Sequence, residues 1–147
     1  MLALPMSNDA RDMFVKIAWS YLNKPYLWGG DDPMAGIDCS GLTVECLKSI
    51  GAIGLHEDYS ADSLWKKWYK NYQYAKSAIG ELAFWFNEEG KAVHVAICID
   101  KEHCLTADGG GSATLTLEDA INQNAFVKVR RVDHRIGQPK FINLFAQ

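Results

Sequence analysis

The sequence predicts an α+β domain in which helices near the N-terminus pack on an antiparallel sheet. Three observations carry that expectation. Apolar residues recur at helical spacing through the first half, and short alternating runs fill the second. No Pro- or Gly-rich linker, repeat or charge block divides the 147 residues. A single domain over residues 1–147 is therefore expected, with 48% hydrophobic and 12% aromatic residues to supply its core.

Ser7 or Asn8 can cap a first helix running to about Leu22, with Ala10, Met13, Phe14, Ile17, Ala18 and Tyr21 on one face. "NKPYLWGGDDPMAG" then reads as loop, because Pro25 and Pro33 cannot sit inside a helix and Gly29-Gly30 permits unusual backbone geometry. A second helix starts at about Asp38 and ends near Ile50, where Gly51 can terminate it. "SADSLWKKWYKNY" at 60–72 predicts a third helix capped by Ser60, with Leu64, Trp65, Trp68 and Tyr72 facing inward. Strands are expected at 81–86, 92–99, 103–108 and 126–132, with a short helix capped by Thr116 before the last of them.

The formal net charge of −3 argues against nucleic acid or an anionic membrane surface as the main partner. No apolar run approaches a membrane span. The opening "MLALPMSNDARD" lacks a basic segment followed by an apolar one, so no signal peptide is expected and the chain reads as cytoplasmic when synthesised. The four cysteines form no disulfide framework. His94, Cys98, His103 and Cys104 cluster in sequence, yet they lack the spacing of a structural zinc site, and neither metal nor cofactor is expected.

One cysteine differs from the rest. Cys39 falls in the first turn of the second helix, where free backbone N–H groups and the helix dipole favour a thiolate and could stabilise an oxyanion. Asp38 can cap that helix, and Ser40 and Gly41 keep bulk away from the sulfur. Cys46, mid-helix among apolar neighbours, reads as a core residue. A thiolate needs a base, and His94 sits within the strand "AVHVAICID", on the face it shares with Ala96, Cys98 and Asp100. His56, His103 and His134 fall in loops or turns and receive no role.

"KPYLWGGDDPMAGIDCSGL", "GELAFWF" and "HVAICID", in that order, resemble the NlpC/P60 cysteine peptidases, papain-like hydrolases of bacterial cell-wall peptides. The resemblance implies a papain-like fold with the nucleophile at a helix N-terminus. It implies Cys39 as nucleophile and His94 as general base. Tyr26 would help hold the oxyanion or substrate, Asp38 would contact the amino group of the substrate peptide, and Trp28 and the paired glycines would shape the cleft, with Ser40 beside the nucleophile. The third catalytic position, often histidine in the family, falls on Thr106, while Asp108 lies on the same strand face and is an alternative. The expected reaction is hydrolysis of an amide in a peptidoglycan stem peptide, at the bond between γ-D-glutamate and the next diamino acid, through an acyl-enzyme. A module of the same fold with weak or no catalysis, which binds wall peptides or serves as a structural component of a phage tail, is the competing expectation. "WGGDDP" and "ADGGGSAT" look most like the versions found in phage tails and prophages, which implies a tail or other delivery protein as partner.

Overall fold

The computed structural model describes residues 4–32, 36–74, 76–109 and 111–146. Its elements in chain order are α1 (Asn8–Trp19), β1 (Asp31–Asp32), β2 (Gly36–Ile37), α2 (Cys39–Ser49), α3 (Ala61–Tyr72), β3 (Gln73–Tyr74), β4 (Leu82–Phe86), β5 (Ala92–Cys98), β6 (His103–Asp108), α4 (Leu117–Gln123), β7 (Phe126–Arg131) and β8 (Lys140–Ile142). Pro33, Met34 and Ala35, part of the loop read as "WGGDDPMAG", lie outside the described residues.

Each helix begins where a short polar side chain can take a free N–H. Ser7 accepts from Ala10 N at 3.1 Å. Asp38 accepts from Gly41 N at 2.7 Å. Ser60 with Ser63, and Thr116 with Asp119, form reciprocal capping boxes. α1 ends at Trp19, earlier than the expected Leu22, since residues 20–23 turn to meet β7 and Asn23 N reaches Val127 O at 2.9 Å. Met13, expected on the buried face, is 51% exposed, and Val15 is buried instead. Gly51, at φ +75°, terminates α2 as expected.

The main sheet has the order β3-β8-β4-β5-β6-β7, antiparallel throughout. The helices cover one face: α2 lies on β5 and β6, α3 on β5 and β8, and α1 on α2. Phe14, Leu42, Leu47, Leu64, Phe84 and Ile97 fill this core. The other face carries a smaller apolar set, Ala83, Trp85, Ala96, Cys98, Cys104 and Phe141. Cys46 is fully buried in the main core, and Cys98 stands directly opposite Cys104 on β6 with both thiols free. β8 was not expected; it inserts between β3 and β4. A parallel bridge between Met6 and Phe145 ties the two chain ends, with Met6 N on Leu144 O at 2.8 Å and Ala146 N on Met6 O at 2.7 Å. No helix among the described residues is long and apolar enough to cross a membrane.

Candidate active site

The period of two along β5 sends Val95 and Ile97 into the helix-side core and His94, Ala96 and Cys98 to the opposite face. β6 aims Thr106 and Asp108 to the same side as His94. Thr106 Oγ1 lies 2.7 Å from His94 Nε2, with the two residues 0% and 4% exposed. Asp108 is engaged elsewhere, paired with Arg130 at 3.0 Å. Of the two residues proposed to orient His94, the bonded one is therefore Thr106. Among the described residues the β5–β6 ladder pairs Ile97 with Leu105 and Cys98 with Cys104. The ring thus reaches Thr106 where the ladder has already opened.

α2 starts at the same place. A cleft of about 450 Å³ is lined by Cys39, His94, Tyr26, Trp28, Asp38, Ser40 and Asp108, together with Arg135. Cys39 is half-buried, and the backbone amides of Val95 and Ser40 favour the charged form of its sulfur. All the side chains proposed for the site except Thr106 line this one cleft, and Thr106 touches it through His94.

Tyr26 is buried beneath the cleft, and a Cβ at Gly109 would overlap its ring, so glycine is required where β6 leaves the sheet. Trp28, 55% exposed, stands on the rim, its backbone N–H donating to Thr114 O at 2.7 Å. Ser40 donates its hydroxyl to Asp38 at 3.3 Å.

The electrostatics correct one expectation. Burial pushes the Cys39 thiol up to about 11, and Asp38 adds to the rise. The N–H groups of Val95 and Ser40 and the charge of Arg135 act the other way, as a helix N-terminus should, and are outweighed. Burial also holds His94 well below the usual histidine range, with Arg135, His134 and Arg130 pushing in the same direction. The free protein therefore carries a neutral thiol and a neutral imidazole in this cleft at neutral pH.

His134, to which the sequence lent no role, packs against the site. Its ring stands 5.9 Å from that of His94 and 5.2 Å from that of Trp85, which itself lies 5.4 Å from His94. His134 Nδ1–H donates to Arg131 O at 2.7 Å, which leaves Nε2 as a buried acceptor without a partner among the described residues. His94, Asp108 and His134 each bring a ligand atom within 4.8 Å of the others. Arg130 on Asp108 and Thr106 on His94 already occupy two of these groups, and that opposes a cation there. Cys98 and Cys104 lie in the outer apolar set, and His103 bonds Asp100 at 3.1 Å, away from them.

The NlpC/P60 family profile matches residues 23–131, most of the chain. The protein belongs to the NlpC/P60 family. It is 27% identical over 131 residues to the bifunctional muramidase/DL-endopeptidase CwlT of Bacillus subtilis strain 168, an alignment that covers 86% of this chain and 38% of that protein. The chain thus spans well under half the length of the curated relative it matches. Among solved structures, the P60 domain of an antigen from M. avium subspecies paratuberculosis superposes with a TM-score of 0.69 at 18% identity, covering 95% of this chain and 97% of that one. RipD from Mycobacterium tuberculosis, described as a non-catalytic NlpC/P60 domain protein adapted to peptidoglycan binding, superposes with a TM-score of 0.64 at 19% identity, covering 92% and 98%. These likenesses confirm the expected α+β NlpC/P60 fold, and the family is one of peptidoglycan hydrolases with non-catalytic members.

Proposed function

We propose that this NlpC/P60 protein is a cysteine peptidase that hydrolyses an amide of bacterial peptidoglycan stem peptides, at the bond between γ-D-glutamate and the following diamino acid. One observation carries the reading: the cysteine that opens α2 and a histidine tethered through its far nitrogen line the same cleft. With Nε2–H donated to Thr106, the lone pair at Nδ1 is the one left to serve as base. His94 takes the Cys39 proton as the sulfur attacks the amide carbon. The oxyanion is received by backbone N–H groups at the start of α2 and by Tyr26. The imidazolium then protonates the leaving amine. Water, deprotonated by His94, releases the acyl group as a carboxylate and restores the thiol. Because both groups rest neutral, proton transfer accompanies attack rather than preceding it. Delivery by a phage tail or another carrier rests on the loop sequences alone.

The second reading, a module that binds wall peptides without cutting them, is favoured by the raised thiol and by the uncharged Thr106 behind the base. Incubation of wild type and Cys39→Ala with purified stem peptides, scored for new amines, decides between them. Turnover by wild type alone is expected. Absence of turnover by both would leave the binding module.

A further inference from the structure

Arg135, on the loop between β7 and β8, lines the cleft alongside Cys39 and His94 and is half-buried. It forms no ion pair or hydrogen bond among the described residues. The acids that share the cleft are already engaged. Asp38 accepts from Gly41 N and from the Ser40 hydroxyl, and Asp108 is held by Arg130 at 3.0 Å. A cation removed from much of its water, with no carboxylate beside it, is an incomplete arrangement.

The loop is fixed in a way that aims this residue. Arg131 Nε binds Asp133 at 3.0 Å, and the backbone N–H and ring Nδ1–H of His134 both end on Arg131 O, at 3.0 and 2.7 Å. The position immediately before Arg135 is thus held twice to one carbonyl. A guanidinium presented on such a rigid loop loses little freedom when a ligand arrives. Its charge is felt by Cys39, His94 and Tyr26, so whatever it binds sits beside the reacting atoms.

We propose that Arg135 reads a free carboxylate on the wall peptide next to the scissile amide, so that peptides amidated at that carboxyl are poor ligands. The inference rests on the peptide-hydrolase reading only for the identity of the ligand. A guanidinium fork accepts a carboxylate through two charged hydrogen bonds. A carboxamide offers one neutral acceptor and turns its NH₂ donors toward the N–H groups of the arginine, which is repulsive as well as weaker. A charged hydrogen bond of this kind corresponds to about 10- to 100-fold in affinity.

Two carboxylates flank the proposed bond: the α-carboxylate of the D-glutamyl residue on the acyl side, and one carried by the diamino acid on the amine side. The test uses stem peptides with both free, and with either one amidated, titrated calorimetrically into the Cys39→Ala protein and into Cys39→Ala with Arg135→Gln or Arg135→Lys. The free-acid peptide should bind 10- to 100-fold tighter than one of the two amidated forms, and that form identifies the carboxylate. Arg135→Gln should weaken the acid to the level of the amide while leaving amide binding unchanged, and Arg135→Lys should restore part of the difference. Equal affinity for acid and amide, a preference that survives Arg135→Gln, or no binding of any peptide would each overturn the proposal. Turnover by the wild type is scored separately. Cleavage without acid preference removes the role of Arg135 and leaves the peptidase reading. An acid preference that depends on Arg135, without cleavage, does the reverse.

Discussion

Replacing Thr106 by valine keeps the branched shape on β6 and deletes one oxygen. That oxygen is 2.7 Å from His94 Nε2, and with the residues 0% and 4% exposed, water cannot take its place. The substitution therefore leaves a buried imidazole nitrogen without its hydrogen-bond partner, a loss of about 1–3 kcal/mol. In a domain of this size each kcal/mol lowers the melting temperature by about 2–4 °C, so a fall of about 2–12 °C is expected. If the bond orients the ring through the transition state, the same energy appears in the barrier, and kcat falls by about 5- to 150-fold with KM little changed. Thr106→Ser supplies the control. It restores the hydroxyl without the methyl, so kcat should recover while some of the melting temperature stays lost to the small cavity. Steady-state kinetics on a stem peptide, run beside thermal unfolding, separates the two roles. A valine variant that melts early yet keeps kcat within about twofold of wild type would show that the hydroxyl supports the fold and does not hold the base.

Two further outcomes follow from burial. Since the Cys39 thiol is raised from 9.0 to about 11, its alkylation by iodoacetamide in the free protein should be slow near neutral pH and climb as pH rises through that interval; a rate already flat between about pH 6 and 8 would mean a pre-formed thiolate–imidazolium pair. Cys46, raised to about 12 and fully buried, should react only on unfolding. Glu81 is 1% exposed with no side chain among the described residues bonded to its carboxylate, and burial raises it from 4.5 to about 7 against the opposing pull of the Ala78 amide and Lys76. The folded state then holds a proton that the unfolded chain releases, so stability falls as pH rises from 4.5 to about 7 and is constant above. Glu81→Gln should remove that slope and raise stability at pH 8 by up to about 3 kcal/mol, and denaturant melts in which both proteins lose stability alike across this range would refute it.

What the sequence disclosed was local. Ser7, Asp38, Ser60 and Thr116 were legible as caps because a cap is decided within four residues of its own N–H groups. β4 to β7 were legible from alternation, and Cys39 with His94 from an ordered resemblance. β1, β2, β3 and β8 carry too few residues for any period to show, and they exist because a neighbour pairs with them; β8 needs β3 and β4 together. His134 and Arg135 stand in a loop without pattern, and only the β7–β8 connection brings them beside a histidine on β5. The thiol failed for a related reason. A helix start can be read from neighbours in the chain, whereas the burial that overrides it is set by the tertiary packing around the cleft.

The bridge from Met6 to Phe145 has a mechanical meaning. Polypeptide joined ahead of the first or beyond the second leaves the fold from a single buried tie, and neither residue belongs to the wall of the candidate cleft. A neighbouring module could swing, pull or dock through that mooring without levering the groove open. The unit is thereby suited to being spliced, like a cassette, into polypeptides of quite different length.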